Sequence, residues 1–147
     1  MLAGHDLDAA VGFTIELLTV DPEGWPAVAL LSAGEVLALD GSTIRLALWP
    51  GSRTTANLTR TGRAALALVW AGAAYTLRLE TCRAPDLVVP ETRAVFDGRL
   101  ASVRRDEVSY ARLESGVTFA LPDRTAVVSR WRATIDALRA HPRCEVG

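Results

Sequence analysis

The chain has 147 residues, 50% of them hydrophobic and 22% charged, with a formal net charge of -1; that composition suits one domain with its own core, residues 1–147, and excludes disorder or dependence on a stapling metal. All 16 basic residues are arginines, so no lysine Schiff base and no Walker-type phosphate lysine can form. They spread from Arg45 to Arg143 among acidic residues rather than in a basic stripe, and the longest apolar stretch, 64–77, is shorter than the about 20 residues of a membrane span, so neither nucleic acid nor membrane is an expected partner.

The N-terminus carries Asp6 and Asp8 where a secretory signal would be basic, which predicts a cytoplasmic protein with Cys82 and Cys144 reduced. No CxxC or Cys/His spacing is present, so no metal is expected.

Short apolar runs divided by turn signals follow. Strands are predicted over 13–20, 25–32 after Asp21-Pro22-Glu23-Gly24, 35–39 after Ala33-Gly34, and 43–49 after the hairpin signal Asp40-Gly41. In 43–49 the apolar Ile44, Leu46 and Leu48 alternate with Thr43, Arg45 and Ala47, the period of a half-buried strand. Ser52 then reads as the N-cap of a short helix over 53–61 that stops at Gly62. Strands over 64–70 and 75–83 flank Ala71-Gly72, and a long strand over 92–104 has a bulge expected at Gly98. Asp106 is a candidate cap for a helix ending at Gly116, and 117–121 reads as a short strand. The last helix starts at Pro122-Asp123, lines up Val127, Trp131, Ile135 and Leu138, and ends before Pro142. So many hairpin-linked strands predict an antiparallel barrel with helices, an α+β fold that is mainly β.

No catalytic set stands out. The only histidines, His5 and His141, lie at the two ends, which disfavours a Ser/His/Asp triad, and Asp106-Glu107 reads as helix capping. Trp131 belongs to an apolar helix stripe and is expected to pack. The informative stretch is Trp49-Pro50-Gly51-Ser52-Arg53-Thr54-Thr55-Ala56-Asn57-Leu58. A Gly-Ser turn opening a helix offers free N–H groups and a positive dipole end to a phosphate, Ser52, Thr54 and Thr55 add hydroxyls, and Arg53 adds a bidentate fork. The alternative is an ordinary capped helix with a polar surface.

Gly24-Trp25-Pro26 at a strand start, the strand-turn-helix with Ser52 and Asn57-Leu58, and the following Gly62-Arg63-Ala64-Ala65-Leu66 strand resemble the flavin-binding split barrels related to pyridoxamine 5'-phosphate oxidase, over about residues 12–84. The resemblance implies an antiparallel six-stranded split β-barrel, with short helices and a C-terminal helix, that forms a homodimer with FMN between the subunits. It implies a phosphate grip at Ser52, Arg53, Thr54 and Thr55, near Asn57, and a ring lying against Val28, Ala29, Leu30, Leu31, Leu48 and Trp49. Thr54 stands where many members carry a basic residue, and the C-terminus lacks the Arg-x-His type substrate motif of the oxidase. The expected function is therefore an FMN-dependent oxidoreductase of another small-molecule substrate, with NAD(P)H as candidate donor; the alternatives are a non-catalytic flavin- or ligand-binding dimer and a structural dimer without cofactor.

Overall fold

The computed structural model describes residues 2–88 and 90–144. Among them, β1 (Ile15–Val20), β2 (Pro26–Leu31), β3 (Val36–Ala38) and β4 (Thr43–Leu48) precede α1 (Arg53–Thr61). β5 (Arg63–Trp70), β6 (Ala73–Leu87), β7 (Arg93–Asp106) and α2 (Arg124–Ala140) complete the order. The seven strands make one antiparallel sheet in the spatial order β2-β1-β5-β6-β7-β4-β3. It curls around a core that includes Ile15, Leu17, Leu46, Leu66, Leu79 and Phe96, and the short turn 32–35 joins its two edge strands. This is the expected split barrel. It has seven strands rather than six because the three residues of β3 pair with β4.

Local chemistry explains the joints. The Asp40 carboxylate accepts hydrogen bonds from the Ser42 N–H, the Ser42 hydroxyl and the Thr43 N–H, so the side chain organises the Asp40-Gly41 turn. At the β5–β6 hairpin, Ala71 and Gly72 have φ of 50° and 84°, the left-handed pair that a two-residue turn needs to match strand twist. The Ser52 side chain caps α1 by accepting from the Thr55 N–H at 3.1 Å, and Gly62, at φ 63°, ends it with its N–H on the Leu58 carbonyl.

Five expectations change. β4 is buried on both faces, not one: Ile44, Leu46 and Leu48 face the barrel, while Arg45 and Ala47 are covered from outside by α2 and the tail behind it. The helix expected from Asp106 to Gly116 is absent. Asp106 instead closes the β6–β7 ladder opposite Ala74, and an exposed segment follows with one bridge, Val108 to Ala111. A short helix needs a packed face to survive, and this one has none. Residues 117–121 form no strand; Phe119 packs edge-on against Trp131 with ring centroids 6.2 Å apart. The irregularity in β7 lies not at Gly98, which pairs regularly with Ile44 and Thr81, but where Arg78 and Leu79 pair with Ser102 and Leu100, skipping Ala101.

The thiols are the fifth. Cys82 and Cys144 form a disulfide with Cα atoms 6.1 Å apart. The register explains the meeting, since Cys82 pairs with Asp97 and Asp97 accepts the Cys144 N–H at 2.8 Å. Reduced thiols therefore no longer support a cytoplasmic location. No helix among the described residues is long and apolar enough to cross a membrane.

α2 rests on the outside of β3, β4 and β7 through Val128, Trp131, Ile135 and Leu138 against Leu37, Ala47 and Val95. Its C-terminal end is held by Arg45, whose side chain is 1% exposed. Arg45 makes a two-pronged pair with Asp97 at 2.6 and 2.9 Å and donates to the carbonyls of Leu138, His141 and Pro142. A buried guanidinium at the negative end of a helix, facing carboxylate and carbonyls, has its donors satisfied.

Candidate functional site

The proposed phosphate loop lies at the start of α1. Ser52 and Thr55 spend their hydroxyls on the cap itself: Ser52 Oγ donates to Thr55 Oγ1 at 3.1 Å, and Thr55 Oγ1 donates to the Trp49 carbonyl at 2.7 Å. The Arg53 and Thr54 N–H groups have no partner among the described residues, and neither does the exposed Arg53 guanidinium. An anion arriving there would meet two backbone donors, the Arg53 fork and the Thr54 hydroxyl.

Asn57 points away from that opening. It is buried, donates to Thr19 Oγ1 at 3.1 Å and accepts from Arg60 at 3.3 Å, while Arg60 also reaches the Val20 carbonyl. Asn57 thus ties α1 to β1. Leu48 is buried in the barrel core and Ala29 packs against it, so neither offers a side chain to a ligand. Val28 and Leu30 project from the other face of β2 and are exposed.

Trp49 links these parts. Its carbonyl anchors the α1 cap, and its indole lines a cleft of about 400 Å³ together with Ser32, Glu35, Arg93, Arg130 and Trp131. The Arg93 guanidinium lies 3.6 Å from the Trp49 ring centroid, is paired with Glu91 at 2.6 Å, and donates to the Thr92 carbonyl. A cation–π stack of this kind restrains the indole. Glu35 accepts from the Ser32 N–H and hydroxyl at 2.7 and 3.0 Å. A neighbouring groove, also about 400 Å³, shares Ser32, Glu35, Arg130 and Trp131 with the cleft and continues to Leu30 and Leu31. Leu30, the cleft and Trp49 are therefore contiguous, although Val28 lines neither hollow.

Sequence reasoning located Trp49 and the α1 start but missed Glu35, Glu91, Arg93 and Arg130. A strand-start arginine and a helix-face arginine carry no local signal of meeting at one hollow. The clasp that Arg45 and Asp97 form on the end of α2 was also missed. Burial alone would raise the Asp97 carboxyl, but the Arg45 hydrogen bonds, then the Cys144 N–H and the charges of Arg45 and Arg143, hold it below the ordinary carboxylate range. Asp40 is held low as well, by the Ser42 N–H first, then the Ser42 hydroxyl and Arg143. No cluster suited to a metal ion occurs among the described residues.

Comparison with known proteins agrees with this architecture. The chain is 44% identical over 140 residues to the uncharacterized protein YclD of Bacillus subtilis (strain 168), covering 95% of this chain and 91% of that one. Among solved structures it is similar in fold to an F420 reductase, with 16% identity, a TM-score of 0.54, and coverage of 65% of this chain and 91% of that chain. It is also similar to an FMN-binding protein from Syntrophomonas wolfei, with 18% identity, a TM-score of 0.50, and coverage of 72% and 84%. The family model for pyridoxamine 5'-phosphate oxidase matches residues 14–117, from the first strand of the barrel to the segment beyond the last, and the chain belongs to that family.

Proposed function

We propose that the chain binds FMN between two copies of itself and acts as a flavin-dependent oxidoreductase on a small molecule other than pyridoxamine phosphate. The observation that carries the reading is the start of α1, where two N–H groups and the Arg53 guanidinium, without partners among the described residues, stand beside Trp49. Family membership supports it, as does the absence of a convincing nucleophile or general base, because bound FMN itself supplies the electron-carrying chemistry. The residues of this chain then bind and orient. Arg53 and the two N–H groups hold the phosphate, beside Trp49 with Arg93 over its ring. The C-terminal Arg139 and His141 are engaged with the Ala3 and Pro85 carbonyls, so that segment is given to the clasp rather than to a substrate.

The outer face of the sheet suits a second copy. Val28 and Leu30 are about 60% exposed there, in register with Leu18 and Glu16 of β1, and apolar strand surface of this kind is the usual mark of an interface.

Titration of apo protein with FMN and riboflavin tests the phosphate assignment: FMN binds more tightly, and Arg53→Ala weakens FMN by at least about tenfold while Arg63→Ala does not. Riboflavin binding as tightly as FMN would overturn it. A second reading, flavin binding without turnover, is favoured by Thr54 and by the hydroxyls of Ser52 and Thr55 being spent inside the cap. Bleaching of the bound flavin by NADH or NADPH separates the two.

A further inference from the structure

We propose that the cleft between Trp49 and α2 is a pocket for a flat, anionic small molecule, with the open part of the Trp49 indole as its platform and Arg130 as its counter-charge. As a substrate pocket it rests on the flavin reading; as a pocket it does not. Its volume of about 400 Å³ falls in the range of small-molecule sites, roughly 300–1,000 Å³, and its walls come from the β2–β3 turn, Trp49 just past β4, Pro90 and Glu91 of the β6–β7 connection, Arg93 at the start of β7, and α2.

The chemistry follows from which groups are already engaged. Glu91 is paired with Arg93, and Glu35 takes both donors of Ser32. Arg130 is the charged side chain of the cleft with no hydrogen bond or ion pair among the described residues, and it borders both the cleft and the groove that leads to Leu30. Trp49 remains 58% exposed although Arg93 lies over its ring. A guanidinium on one face draws π density toward itself, so the rest of the indole becomes a poor seat for a second cation and a better one for an electron-rich ring. An aromatic carboxylate satisfies both demands, with its ring on Trp49 and its carboxylate on Arg130.

Calorimetric titration of the intact protein with 2-naphthoate and its neutral analogue 2-naphthamide, each without flavin and with saturating FMN, tests the proposal. Naphthoate is expected to bind about tenfold more tightly than naphthamide. Arg130→Gln removes that preference and leaves FMN affinity unchanged. Arg93→Met, which takes away the stack and keeps the side-chain length, weakens naphthoate about fivefold. Arg130 is exposed, so its variant is expected to keep the native circular dichroism; should it not fold, the contrast between the two ligands in the native protein and in Arg93→Met still decides. Equal affinities, no binding of either ligand, or a preference that survives Arg130→Gln overturns the pocket even if FMN binds. Failure of FMN to bind while the naphthoate preference persists overturns the flavin reading alone.

Discussion

At the residue scale, Gly34 and Ala71 show two ways in which one Cβ matters. A Cβ built on Gly34 would lie 2.2 Å from the Trp131 ring, which is wedged between the β2–β3 turn and the α2 core and cannot swing aside as a long flexible side chain would. Gly34→Ala is therefore expected to destabilise the fold by about 1–3 kcal/mol, the usual cost of overpacking, and to weaken any ligand of the cleft, both read by urea unfolding and calorimetry. Ala71 is the opposite case, because it already carries a Cβ at φ 50°, where an alanine is strained. Ala71→Asn keeps the turn and relieves the strain, so it should raise stability by about 0.5–1 kcal/mol in the same assay.

At the element scale, α2 is held less by its own propensity than by the apolar stripe beneath it and by Arg45 at its end. Asp97→Asn would leave the Arg45 guanidinium buried without its counter-charge, at an expected cost of about 3–5 kcal/mol, whereas Asp136→Asn, on an exposed pair, should cost under about 1 kcal/mol. Arg45→Met combined with Asp97→Leu should cost less than Asp97→Asn, because no lone charge remains. The same pair sets an acid limit. The folded-state value of Asp97 is depressed, so its stabilisation is fully present above the unfolded carboxylate value, near pH 4, and is lost as pH falls through the folded value. Thermal melts from pH 6 to pH 2 should drop more steeply below about pH 4 in the native protein than in the Arg45→Met and Asp97→Leu double variant.

At the scale of the whole molecule, the Cys82–Cys144 bond closes a loop across a sequence separation of 62. The chain-entropy account assigns such a closure about 4 kcal/mol through restriction of the unfolded state. Reductant, or Cys82→Ser with Cys144→Ser, should lower the urea midpoint by a corresponding amount with little change in the folded circular dichroism, because Arg45 and Asp97 continue to hold the tail. The second whole-molecule expectation is assembly. Sedimentation at micromolar concentration should give twice the chain mass, and Val28→Glu with Leu30→Glu should give the single-chain mass and lower flavin affinity together; full FMN occupancy in the single-chain form would refute a shared site.

What the sequence determined by itself were the features encoded over a few neighbouring residues. Alternation and turn chemistry marked the strands β1 to β7, Ser52 and Gly62 bounded α1, and the strand-turn-helix at Trp49 and Ser52 pointed to the family. Each of these rests on contacts within about ten residues, where period and capping are legible. Only the tertiary structure decided what depends on remote partners. Arg45, half of an apparent in-out alternation, became a buried anchor because α2 and its tail arrive 93 to 97 residues later in the chain. The helix after Asp106 was lost because β6 offered that aspartate a ladder partner and nothing offered the following residues a core. Cys82 met Cys144, and Arg93 met Trp49, through sheet register and helix docking, which are global solutions of packing and leave no mark at either residue alone.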